Sequence, residues 1–233
     1  MSAAGAPAWE LAFAPASAEE TQALGAALAG ALAPGDLIVL TGELGAGKTT
    51  FTQGLGEGLG VRSGIISPTF VLVRIHPNLP DGPRPGGPDL VHVDAYRLEG
   101  EGEIDDLDLE NWADTAVTVV EWGRGRVEHL VDSWLDIELV RAGAPAPGAD
   151  HAAPVLDFDT EDDDEPRLLR IRAFGPRWAE HPQVAWPAVD RPASAEVTPS
   201  GAEVTPGGAE VTPSAAEVTP GGAEVTPSQR EAG

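Results

Sequence analysis

Residues 42–52 read GELGAGKTTFT, and the apolar run LIVL stands just before them at 37–40. Positions 42–49 satisfy the pattern G-x-x-x-x-G-K-S/T at every fixed place, with Gly42, Gly47, Lys48 and Thr49. Each requirement has a physical cause. Glycines admit positive φ and let backbone N–H groups converge on phosphate oxygens. A helix opening here adds the partial positive charge of its N-terminus. Lys48 then reaches the β- and γ-phosphates, and the Thr49 hydroxyl ligates Mg²⁺. The cradle so predicted comprises Gly42, Glu43, Leu44, Gly45, Ala46, Gly47, Lys48, Thr49 and Thr50. Lys48 is also the single lysine of a chain with 13 arginines. A compact ammonium on a flexible stem suits a crowded phosphate cradle, and a planar guanidinium replaces it poorly.

The surroundings of the loop predict the fold. LIVL is short, wholly apolar and entered by the turn PGD, as buried strands of parallel sheets are. A helix over about 48–59 follows it. Upstream, WELAF at 9–13 reads as a short edge strand. Ser17 with Glu20 forms a capping box for a helix through about Leu32, whose Leu24, Leu28 and Leu32 share one face. Downstream, TFVLVRI (69–75), LVHVDA (90–95), AVTVVEW (116–122), WLDIELV (134–140) and RLLRIRAF (167–174) read as strands. Pro-, Gly- and Asp-rich stretches at 76–89 and 142–166 read as surface loops. Strands alternating with helices predict an α/β layer sandwich of the P-loop NTPase type, with a largely parallel central sheet.

Two carboxylates stand where such sheets bind ligands, at strand ends. Asp94 closes LVHVD and Glu121 closes AVTVVE. One is expected to hold or orient Mg²⁺ and the other to polarise the attacking water. The spacing does not say which does which. Each acid also admits a plainer reading as the cap of a strand end. Ser67, Pro68 and Thr69, in the polar loop SPTF, stand as a candidate γ-phosphate switch. Trp122 either stacks near the nucleotide or fills the core. His92 reads as a core or supporting histidine, and the scattered histidines show no zinc pattern.

Composition bounds the rest. The net charge of −24 repels nucleic-acid phosphates, and residues 1–178 alone hold 30 acidic side chains against 12 Lys and Arg. The absence of cysteine excludes disulfides and thiolate metal sites, and makes the cytoplasm the default location. The N-terminal MSAAGAPAWELAF lacks a basic start and a long apolar run, which argues against a signal peptide. No stretch approaches the ~18–20 apolar residues of a membrane span. From Ala195 the motif AEVTP recurs five times with a period of seven. Proline in every copy excludes a coiled coil, and so little apolar surface cannot offset ordering entropy. The expected organisation is one domain over 1–178, carrying an acidic insertion at 142–166, and a disordered acidic tail over 179–233.

The order of loop, SPTF, HVDAYRL and VEW resembles the TsaE family of bacterial P-loop ATPases in tRNA threonylcarbamoyladenosine biosynthesis. The resemblance covers roughly residues 17–140 and takes in the strand at 167–174. It implies ATP and Mg²⁺ as cofactors and TsaD-like and TsaB-like proteins as partners. Those partners transfer threonylcarbamoyl to adenosine 37 of tRNA, while ATP hydrolysis by this subunit resets their complex between turnovers. Contact with tRNA is then only indirect, through the complex, and no membrane is involved. By the same resemblance Thr49, Asp94 and Glu121 match the magnesium and hydrolysis positions, with Lys48 in the loop, and Ser67–Thr69 match the switch-like loop. Tyr96 and Arg97 belong to the family signature, and Thr21 falls in the segment flanking the adenine. The rival reading is a small-molecule or nucleoside kinase on the same scaffold, with Arg124 and Arg126 as lid arginines.

Overall fold

The computed structural model describes residues 5–98, 101–141 and 166–192. All of the insertion expected at 142–166 except Pro166, and the AEVTP repeats, lie outside the described residues. Among the described residues seven strands form one sheet: β1 (Trp9–Phe13), β2 (Leu37–Thr41), β3 (Val73–His76), β4 (Asp89–Asp94), β5 (Ala116–Glu121), β6 (Trp134–Arg141) and β7 (Arg167–Phe174). Their order is β1-β7-β6-β2-β5-β4-β3. The centre is parallel, with β2 between β6 and β5 and β4 beside β5. The flanking pairs β1–β7, β7–β6 and β4–β3 are antiparallel. The expected α/β architecture is thus present, and WELAF is an edge strand.

Period-2 alternation divides the core between the sheet's two faces. Ile38, Leu40, Val117, Val119, Ile137 and Leu139 face α1 (Ala18–Ala29) and α2 (Lys48–Leu59). Leu37, Val39, Val91, Val93 and Val120 face the opposite layer, which includes the short helix α3 (Glu101–Asp105) and a 3₁₀ turn at Leu109–Trp112. Ser17 caps α1, accepting from Glu20 N at 3.2 Å. α1 ends at Ala29 rather than near Leu32, although Leu32 stays in the core.

The two helices pack through glycine. A Cβ on Gly54 would overlap the Gln22 carbonyl, and one on Gly58 would overlap that of Ala26. Helix-interior glycine costs roughly 1 kcal/mol against alanine, and here it permits backbone-to-backbone approach. Because Gln22 meets Gly54 and Ala26 meets Gly58, α1 runs parallel to α2. Its first turn therefore lies at the end where α2 begins.

Two expected boundaries shift. The run TFVLVRI yields only a four-residue strand, β3. Val71 N and Leu72 N both donate to Pro68 O, and Leu72 has φ 67, so the chain turns before the strand begins. Residues 179–192 continue the packed body beyond the boundary expected at 178. Trp186 lies 4.9 Å from Phe13, Arg191 stacks on the same ring, and Ala14 N donates to Asp190 O. Trp186 and Val189 supply the apolar surface that holds this proline-rich segment on the core beside β1. The 77–88 loop is a surface connection, pinned by Arg84, which donates to Ala29 O and Leu32 O at the end of α1. Among the described residues no helix is long and apolar enough to cross a membrane.

Candidate active site

β2 delivers the chain into the glycine loop, and α2 begins at Lys48. Gly42, Gly45 and Gly47 have φ of 150, 74 and 100°, a backbone that other residues adopt only with strain. Glu43, Leu44 and Gly45 form an exposed tip, while Ala46 is buried. Thr50 is half-buried on the first turn of α2.

Lys48 is 5% exposed. Its Nζ donates to Gly42 O and Glu43 O at 2.9 Å each and lies 4.0 Å from the centre of the Trp122 ring. Burial pushes the ammonium down from 10.5 to about 8, against the opposing pull of the Glu121 and Asp94 carboxylates. Trp122 has φ 62, its amide donates to Leu40 O, and its ring packs 5.2 Å from that of Tyr96. It therefore neither fills the core nor stands apart from the loop. It forms an aromatic wall under the lysine, a cation–π arrangement.

The sheet brings the two acids together. Asp94 and Glu121 are register partners on β4 and β5, and Glu121 also faces Leu40 of β2. Both point to the face that carries α2. Glu121 Oε1 accepts from Thr49 Oγ1 at 2.9 Å and lies 2.9 Å from His92 Nε2. His92 is fully buried and is thus a supporting histidine of Glu121. Asp94 takes a different set of partners. Its Oδ2 accepts from Ser67 Oγ (2.9 Å) and Thr69 Oγ1 (2.6 Å), and its Oδ1 from Tyr96 N (3.0 Å). The SPTF loop is docked on Asp94, with Pro68 buried and Phe70 88% exposed.

Thr21 sits buried in the first turn of α1, and its hydroxyl donates to Ser17 O at 3.1 Å. Tyr96 and Arg97 are exposed at the rim. Arg124 is bound to Asp136 (2.7 Å) and Glu138 (3.1 Å), and Arg126 donates to Ala95 O and Leu98 O. These arginines tie the turn after β5 to β6 and to the turn after β4, an arrangement unlike a mobile lid. Among the described residues no group of three or more His, Asp or Glu is arranged to hold a metal.

Sequence reasoning did not find the two arginines that flank the loop. Arg141 donates to Gly45 O, and the Arg167 stem lies 3.5 Å from where a Cβ on Gly47 would sit. They end β6 and begin β7, far from the motif in the chain, and no local pattern marks them.

A glycine loop between a central parallel strand and a helix, with two acids closing the adjacent strands, defines an α/β protein of the P-loop class. The family model of the threonylcarbamoyl adenosine biosynthesis protein TsaE matches residues 15–145. The tRNA threonylcarbamoyladenosine biosynthesis protein TsaE of Streptomyces coelicolor is 49% identical over 157 residues, covering 67% of this chain and 92% of that protein. The protein of the same name from Bacillus subtilis is 42% identical over 125 residues, covering 54% and 74%. A crystal structure of Bacillus subtilis YdiB matches with a TM-score of 0.51 at 30% identity, covering 72% of this chain and 88% of that one. The chain belongs to the TsaE family.

Proposed function

We propose that this protein is an ATP-hydrolysing subunit required for the threonylcarbamoylation of adenosine 37 in tRNA. It works with TsaD-like and TsaB-like proteins and resets their complex between turnovers, in the cytoplasm. The observation that carries the reading is the convergence of Lys48, Thr49 and Glu121. The Thr49 hydroxyl meets the Glu121 carboxylate at 2.9 Å beside a buried ammonium. Hydroxyl and carboxylate oxygens are the hard donors that Mg²⁺ prefers, and the positive-φ glycines suit a backbone cradle for phosphates. The residues present therefore fit Mg²⁺ and ATP.

Thr49 and Glu121 would hold Mg²⁺, with Asp94 beside them, and the ion would neutralise charge on the β- and γ-phosphates. Lys48 moves from its own loop carbonyls to the phosphates. Trp122 keeps its ammonium over the loop. His92 fixes the Glu121 carboxylate. Asp94 orients the attacking water and holds Ser67 and Thr69, so the loop at 67–69 is the segment that reports the γ-phosphate to a partner. Ile66, Phe70, Val71 and Tyr96 are exposed apolar side chains on this loop and at the site's rim, surface suited to a docked protein. The acidic balance of the chain favours tRNA contact through those partners rather than directly.

The test is association and turnover together. ATP-loaded protein is expected to join the two partners better than ADP-loaded protein, and slow hydrolysis is expected to rise on their addition. No association under any nucleotide condition, with rapid phosphoryl transfer to a small metabolite, would establish the kinase reading instead.

A further inference from the structure

We propose that Arg141, at the C-terminal end of β6, is a positioning residue for nucleotide binding: its guanidinium holds the tip of the phosphate loop through the Gly45 carbonyl. The inference rests on the nucleotide-site reading above.

The argument begins with the loop's carbonyls. A peptide plane carries its C=O and N–H on opposite edges, so a donor that fixes the carbonyl also fixes the amide. Gly42 O and Glu43 O accept from Lys48 Nζ, and Gly47 O accepts from Phe51 N at 2.9 Å. Gly45 O accepts from Arg141 Nε at 3.3 Å and Nη2 at 3.1 Å. On the other edge of that same peptide, Ala46 N donates to Glu43 O at 3.1 Å. The Gly45–Ala46 peptide is thus gripped at both ends. Glu43 O is also a seat of the lysine, so a continuous set of bonds runs from Arg141 through this peptide to Lys48.

Steric fit agrees with the hydrogen bonds. A Cβ on Gly45 would overlap Arg141 Nη2, and its φ of 74° already favours glycine. A Cβ on Gly42 would overlap Leu139 O, two residues earlier on β6. The loop leans on the end of β6, and Arg141 is the side chain there that grips its tip. A guanidinium with two parallel N–H groups suits this bidentate hold, and an ammonium offers a single point of contact.

The experiment uses the full chain with MgADP in calorimetric titrations, and ATP turnover beside it. R141Q is expected to weaken MgADP about tenfold, the loss of one charge-assisted hydrogen bond, with the turnover defect carried by KM rather than kcat. R141K should remain weakened, about threefold or more, because charge without the two-pronged grip does not orient the peptide. Amide exchange at 43–47 should quicken in R141Q without nucleotide, while β2 and the body of α2 stay protected. In a double-mutant cycle G45A/R141Q should bind within about twofold of G45A alone, since both act on one peptide. Wild-type affinity in R141Q, or fully additive losses in the cycle, would overturn the inference while leaving the nucleotide site intact. Failure of the wild type to bind MgADP would instead remove the nucleotide reading and this inference with it.

Discussion

The single lysine makes the electrostatic cost of the loop measurable. Burial lowers the Lys48 ammonium from 10.5 to about 8. Between those values the unfolded chain holds a proton that the folded chain has released. Stability therefore rises with pH across this window, and the whole cost of the buried charge is present below about pH 8. At about 1.4 kcal/mol for each unit between the two values, the rise is about 3 kcal/mol. The composition clears the background. There is no cysteine, and Tyr96 is the only tyrosine, so Tyr96→Phe leaves Lys48 as the one side chain of a type that ordinarily titrates in this window, arginine staying charged throughout.

The measurement is urea unfolding of Tyr96→Phe and of Tyr96→Phe/Lys48→Met, at intervals from pH 7.5 to 10.5. Methionine keeps the length of the stem without the charge. The stability difference between the two proteins should move by about 3 kcal/mol in favour of the lysine form as pH rises. Packing of the stem, common to both side chains, cancels from the slope, whereas the hydrogen bonds to Gly42 O and Glu43 O and the Trp122 face favour the charged form and reduce it. Parallel stability curves would refute the argument and would mean that the loop carbonyls solvate the ammonium as well as water does.

Glu121→Gln and Asp94→Asn should each slow single-turnover ATP hydrolysis by more than ~10²-fold while MgADP titrations still detect binding, as expected when placed charge is lost. Gly54→Ala should destabilise the fold by roughly 2–3 kcal/mol in urea melts, because forcing the helices apart outweighs the propensity gain of alanine. Gly102→Ala, which has open space, should be neutral or slightly stabilising in the same melts. Ending the chain at Trp178 should lower stability by about 2 kcal/mol relative to ending it at Pro192, since Trp186 and Val189 leave the surface of Phe13 and its neighbours.

The parts of this molecule legible in sequence are those whose cause is local. The loop is legible because its glycines and lysine lie within eight residues, and Asp94 and Glu121 because each closes an apolar strand. Their convergence follows from sheet geometry: neighbouring parallel strands with a period of two set both acids on the face of α2. What local pattern misses is approach between distant segments. Nothing near Arg141 or Arg167 says that β6 and β7 end against the loop. Gly54 and Gly58 look like weak helix residues until Gln22 and Ala26 are placed against them. The 69–75 run has the composition of a strand, yet Pro68 O collects two amides and turns the chain, which keeps Ser67 and Thr69 on Asp94. Residues 179–192 have the proline content of a tail, and the signal against that reading was Trp186 and Val189.

The question of the lone lysine is settled by what surrounds it. Composition explains why arginine occupies other basic positions, but it does not explain the exception. Lys48 is buried, and its seat consists of two carbonyls and one ring face. An ammonium has three N–H groups that rotate freely about a single stem, so it satisfies this seat and can turn from it to another acceptor without changing shape. A guanidinium has five N–H groups fixed in a plane and stays charged at every physiological pH. In this seat several of them would be buried without acceptors, each at the cost of an unmade hydrogen bond. The guanidinium of Arg141 instead reaches the loop from the end of β6 and donates to Gly45 O at its exposed tip. Lys48 and Arg141 thus differ in kind because one is buried among carbonyls and the other holds the exposed tip of the loop from the end of β6.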